Sequence, residues 1–246
     1  MTTHDAITRG RARAARLVAA AAPSFPRDIQ TTRRHDDWAV TAPAFVARST
    51  RLMQALVTLP DEHESAAGVL LRVLFEHVAL FAWLAIDPPA HLPRWVRQDR
   101  EWRIKADNDM AAAFNENLLT PAQKVAFEAE VAAIPQKLPS VPDMAAQADV
   151  HWGARMKEFT SSRYALRGMY VAIYRQYSPI IHGMVDSLHR IVLGGPQAGV
   201  SRVGLEDEHT DFNAFTSAPF VHALGLLVSG EVNGFPTRQS VIDACV

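Results

Sequence analysis

The stretch AAGVLLRVLFEHVALFAWLAI, running from Ala66 to Ile86, decides the fold. It is too long for a strand and carries no turn signal, so it reads as a helix apolar on almost every side. Such a helix lies in a core or crosses a bilayer. Arg72, Glu76 and His77 sit at its middle. A charged residue at the centre of a membrane helix costs roughly 2.5–3.5 kcal/mol. The segment therefore reads as the buried helix of a soluble protein, expected from Asp61 to Ile86 and stopped by Asp87-Pro88-Pro89.

Within it, Arg72 and Glu76 stand at the i, i+4 spacing of a helical ion pair. Two charges in so apolar a helix are expected to be at least partly buried and to pair. His77 is five residues past Arg72, about 140° round the helix, and points elsewhere.

Working outward, the pattern stays helical, and long alternating runs are missing. Helices are expected over Asp5–Ala22, Ala42–Leu59, His91–Asn117 and from Pro121 to Ile134, the last with Thr120 as its cap. Pro135, Pro139 and Pro142 mark a linker. A long helix is expected from Met144 or Trp152 to Tyr177, and another from Pro179 to Val192. Gly194 to Ser217 reads as loop with a short strand or hairpin. Helices over Pro219–Glu231 and Pro236–Ala244 close the chain. The division is an N-terminal helix and irregular linker (1–40), a helical core carrying the motifs (41–193), and a loop with C-terminal helices packing on that core (194–246).

Composition sets the chemistry that is open. The chain has 246 residues, 48% hydrophobic, with a formal net charge of −1. That excludes a strongly basic nucleic-acid coat protein but not local basic patches. The single cysteine, Cys245, allows no disulfide framework, cysteine-based zinc site or iron–sulfur cluster, and fits a reducing cytoplasm. No export signal is visible near the N-terminus, and the apolar run Phe220–Val228 alone is too short to span a membrane. No glycine fingerprint for a dinucleotide is present, and no cofactor is expected.

The richest polar stretch is Tyr174-Arg175-Gln176-Tyr177-Ser178-Pro179-Ile180-Ile181-His182-Gly183. Arg175 and His182 are seven apart, nearly two helical turns, with Ser178 between them on the same face. A fixed cation, a group titrating near neutral pH and a hydroxyl are the parts needed to handle a phosphodiester. Pro179 kinks this helix or starts a new one capped by Ser178, so the shared face is approximate. Asp186, four residues after His182, is placed to orient its imidazole. The bland alternative is an arginine at a helix end and a core histidine bonded to backbone. A third reading, a metal held by His182, Asp186 and His189, lacks another strong ligand. The run Arg94, Arg97, Arg100, Arg103 and Lys105 with Trp95 and Trp102 suits a nucleic-acid backbone and stacked bases. Its acidic neighbours favour a solvated face with both tryptophans turned inward.

The Arg72/Glu76 pattern, followed at a distance by Tyr-Arg-x-x-Ser-x-x-x-His, resembles an uncharacterised bacterial family of helical proteins over about Leu59 to Val192. The arginine–histidine spacing also resembles the motif of the HEPN superfamily, in which four to six residues separate the pair; six separate Arg175 from His182. Gln176 agrees with the polar residue that often follows the arginine there. This resemblance implies an all-α, HEPN-like bundle with added terminal helices. It implies a metal-independent endoribonuclease of phage defence, toxin–antitoxin or stress systems, working as a homodimer in the cytoplasm, with RNA as substrate and an antitoxin or defence protein as partner. Arg175 would hold the scissile phosphate and His182 would act as general acid or base. Arg72, Glu76, Tyr177, Ser178 and Asp186 would support them. The same superfamily contains inactive helical modules, so a non-catalytic interaction protein is the competing expectation.

Overall fold

The computed structural model describes residues 3–25, 38–59, 64–156, 166–174, 192–197, 200–203 and 213–245. The helices are α1 (Thr3–Ala21), α2 (Trp38–Thr58), α3 (Glu64–Leu84), α4 (Pro88–Phe114), α5 (Pro121–Ala133), α6 (Val141–Met156) and α7 (Leu166–Met169), which runs into a π-helical turn, Tyr170–Tyr174. Two strands follow, β1 (Val192–Gln197) and β2 (Val200–Val203), and then α8 (Asn213–Asn233) and α9 (Arg238–Cys245). Apart from that strand pair, the regular structure among the described residues is helical. The pair is antiparallel, with Val192 opposite Val203 and an irregular register where Gly194-Gly195-Pro196 intervenes. Val192, expected at a helix end, is therefore in a strand.

The decisive stretch is the central helix. α3 packs against α8, α6 and α2 and against the π-helical turn. Leu71, Leu74, Phe75, Ala79, Ala82, Trp83 and Leu84 are fully buried. α8 meets α1 and α2 as well as α3, so the helices at both ends of the chain share one core with 41–193. The α1–α8 approach is close enough that a Cβ on Gly10 would stand 2.5 Å from the Phe215 carbonyl oxygen. The run Phe220–Val228 proves to be the middle of a 21-residue helix. By length and composition α3 and α8 could each cross a membrane, and most of each is packed inside the bundle.

Several element starts differ from the expected ones, for packing reasons. α2 begins at Trp38 rather than Ala42, because the Trp38 ring stacks on Phe81 of α3, centroids 5.8 Å apart. Pro88-Pro89 opens α4 instead of merely stopping α3: Asp87 caps it, accepting from the Ala90 amide at 3.3 Å, and a proline suits the first helical position. α8 starts six residues before Pro219, which lies inside it, since Ala214 and Phe215 are buried against the core. Thr120 and Gln123 form the capping box of α5.

The long helix expected up to Tyr177 is not continuous. Asp149 Oδ1 accepts from the Leu166 amide at 2.8 Å and Oδ2 from the Arg167 amide at 2.9 Å. In one unbroken helix positions 149 and 166 would lie about 25 Å apart. The Asp149 carboxylate instead caps the first turn of α7, satisfying two donors that a helix start leaves open.

Candidate functional site

Arg72 is buried, at 8% exposure, two turns into α3. Its Nε donates to Glu76 Oε1 at 3.0 Å, so the i, i+4 pair forms as the spacing predicts. The burial is unequal: the Glu76 side chain keeps 38% of its surface exposed, so the pair sits at the edge of the core. The guanidinium carbon lies 4.1 Å from the centre of the Tyr174 ring. Tyr174 stacks in turn on Tyr170 at 4.8 Å, and Tyr170 leans on Phe75 at 6.5 Å. A π-helical turn spaces its side chains differently from an α-helix, and such turns cluster at functional sites. Here it brings both tyrosines against α3, so that the residue immediately before Arg175 rests on the Arg72 cation.

These tyrosines are not singled out as partners of Arg72 by the sequence alone. The signal was thin: Tyr170 and Tyr174 are four apart, a stacking distance on a helix, but nothing in the sequence joins them to position 72.

Of the expected site residues, Arg72 and Glu76 are thus brought together beside Tyr174. Arg175, Tyr177, Ser178, His182 and Asp186 lie outside the described residues, as do His189 and Pro179. Among the described residues no three histidine, cysteine, aspartate or glutamate side chains gather as metal ligands.

His77, as its angle on the helix requires, faces away from Arg72. Its Nε2 is 2.9 Å from the Phe45 carbonyl oxygen, and its ring stacks on Phe45. Burial, aided by nearby Arg48 and only partly offset by the Phe45 carbonyl, lowers its pKa to about 4, so it is neutral at physiological pH. His222 of α8 is wholly buried with neither ring nitrogen bonded among the described residues, and burial lowers it to about 3. Burial raises the Cys245 thiol to about 11, against the pull of Arg13 and Arg16, which leaves it a protonated, poor nucleophile.

The basic run of α4 is largely neutralised. Arg97 pairs with Glu101, Arg100 with Asp99 and Glu130, and Arg103 with Asp99. Arg94 donates through Nε to the Lys137 carbonyl at 3.0 Å and lies over Trp83. Trp95 packs on Phe45, but Trp102 is 67% exposed, so only one of the two tryptophans turns inward. The reason lies in the architecture. α4 and α5 pair mainly with each other as a hairpin arm, α4 meets α3 far less, and α5 buries no residue. Among the described residues, the buried apolar side chain of α4 is Leu92, and Trp102 lies ten residues beyond it.

Residues 40–197, more than half of the chain, match a family of unknown function, DUF5677. The chain belongs to that family. No curated protein and no solved structure matches it. The DUF5677 region contains α3, the π-helical turn and the whole Tyr174–Gly183 stretch. It excludes α1 and α8, although α8 packs directly on α3.

Proposed function

We propose that this DUF5677 protein is a metal-independent endoribonuclease of HEPN type, with Arg175 and His182 as its catalytic pair. The observation that carries the reading is the seating of Tyr174 on the Arg72–Glu76 pair, at 4.1 Å. It fixes Tyr174, the residue that precedes Arg175 in the sequence, against a buried helix. In this reading Arg175 binds the phosphodiester and stabilises the charge that builds on it. His182 moves the proton. The RNA 2′-hydroxyl attacks the adjacent phosphorus, the 5′-oxygen leaves with a proton, and a 2′,3′-cyclic phosphate remains. Tyr177, Ser178 and Asp186 are the polar neighbours, and no metal or cofactor takes part. The protein acts in the cytoplasm as a homodimer, in a defence, toxin–antitoxin or stress system with a cognate protein partner. The test is cleavage of varied RNAs by purified protein with and without EDTA, alongside Arg175→Ala and His182→Ala.

One observation favours a non-catalytic interaction protein instead. Trp102, Phe114 and Val125 are each about two-thirds exposed on the α4–α5 arm, an amount of bare apolar surface that suits protein contact. In that case both variants would leave partner binding intact, and no RNA would be cut.

A further inference from the structure

α1 carries four arginines, Arg9, Arg11, Arg13 and Arg16, and one acidic residue, Asp5 in its first turn, within a chain of formal net charge −1. The helix turns them two ways. Arg11 faces the bundle: its Nη1 donates to the Val57 carbonyl at 3.3 Å and its guanidinium lies over the Phe215 ring. Arg9, Arg13 and Arg16 stand at i, i+4 and i+7, along one flank. Arg9 is exposed. Arg13 lies over Phe220 and donates through Nε to the Cys245 carbonyl at 2.7 Å, and Arg16 donates through Nε to the Ala244 carbonyl at 3.0 Å. These carbonyls end α9, where a helix leaves acceptors open. Both bonds use Nε, so the two guanidiniums are held in place with their Nη groups still able to donate. Among the described residues no carboxylate pairs with Arg9, Arg13 or Arg16. On α4, by contrast, Arg97, Arg100 and Arg103 each have one. The α1 row extends about 10 Å. Converging cations grip one small anion, whereas a row of them meets an anion that repeats. The exposed residues between them are Thr8, Ala12 and Ala15, while Ile7 and Leu17 lie in the core. A helix resting on a membrane needs large apolar groups on its outer face, and this flank offers none. It offers no aromatic ring for a base to stack on either, so the contact is with phosphates.

We propose that the Arg9–Arg13–Arg16 flank of α1 binds the phosphate backbone of an RNA strand without regard to sequence, as an anchoring surface outside the residues that match DUF5677. That the polymer is RNA rests on the ribonuclease reading; the row of cations without carboxylate partners is what calls for phosphates. The experiment measures binding of a fluorescein-labelled 2′-O-methyl oligouridine to the full chain by anisotropy over a series of salt concentrations. Its blocked 2′-oxygen cannot attack phosphorus, so binding is read apart from cleavage. Affinity should fall as salt rises, and an oligocytidine of the same length and modification should bind equally well. Arg9→Gln should weaken binding about threefold and reduce the slope of log affinity on log salt by about 0.7, at an unchanged melting temperature. Arg9→Lys should keep both near wild type. Arg103→Gln, which removes a cation already paired with Asp99, should change neither. A slope untouched by Arg9→Gln, or equal losses in Arg9→Gln and Arg103→Gln, overturns the proposal. Binding to phosphatidylserine vesicles tighter than to the oligonucleotide overturns the assignment of RNA. The two readings fail separately. Natural RNA cut equally well, with Arg9→Gln binding as wild type does, sinks this surface alone; modified RNA bound through Arg9 while natural RNA stays uncut sinks the nuclease alone.

Discussion

The Arg72 guanidinium lies 4.1 Å from the centre of the Tyr174 ring while its Nε is bonded to Glu76 at 3.0 Å, so one buried cation joins α3 to the turn that leads into Arg175. A desolvated arginine over a tyrosine contributes on the order of 0.5–2 kcal/mol. A double-mutant cycle of Arg72→Gln and Tyr174→Leu in urea denaturation should show coupling of about 1 kcal/mol. Glu76→Gln, which leaves the buried Arg72 less compensated at a half-exposed position, should destabilise by about 1–2 kcal/mol. Purely additive effects in the cycle would mean that the stack does not join the two elements.

The two buried histidines fix the acid response. Both have folded-state pKa values below the ordinary 6.5, His77 at about 4 and His222 at about 3. The unfolded chain takes up these protons first, so their contribution to stability is level above about pH 6.5 and falls as the pH drops toward 4. For His77 alone the shift corresponds to roughly 3 kcal/mol, a large share of an ordinary domain's stability. The melting temperature should therefore drop steeply between pH 6.5 and 4.5, and His222→Leu should flatten the slope. A melting temperature level across that interval would contradict the buried, neutral state of both rings.

Asp107 governs the tip of the arm. It is 1% exposed and accepts from the Leu119 amide at 2.9 Å, from Lys124 Nζ at 2.9 Å and from the Leu118 amide at 2.8 Å, which hold its carboxyl below the usual carboxylate range. A depressed carboxylate stabilises the fold above its unfolded pKa and loses that contribution as the pH falls through the folded value. Asp107→Asn should speed amide exchange at Leu118 and Leu119 at neutral pH and leave exchange in α3 unchanged. Protection of both amides equal to wild type would show that the carboxylate does not close this loop.

Where the sequence was legible, one force acted alone. Ala66–Ile86 is apolar on nearly all sides, so it had to be the central helix, and the Arg72–Glu76 spacing is local to one element. Thr120-Pro121 with Gln123 specified the α5 start through its own chemistry. Reading failed where distant partners decided. Trp38 extends α2 because Phe81 is there to stack on, and Pro219 sits within α8 because Phe215 has a buried place against α1. Asp149 separates α6 from α7 by capping an amide seventeen positions away. The Arg72–Tyr174 contact joins positions about a hundred residues apart, which no local pattern encodes.

The measurement that bears most directly on the account is cleavage of a set of RNAs by purified protein in excess EDTA, followed for wild type, Arg175→Ala and His182→Ala, with each variant's melting temperature in parallel. The account predicts fragments ending in a 2′,3′-cyclic phosphate, no effect of EDTA, and a rate loss of about 100-fold or more in each variant at an unchanged melting temperature. Uncut RNA under all conditions, cleavage abolished by EDTA, or variants that cleave as well as wild type would contradict it.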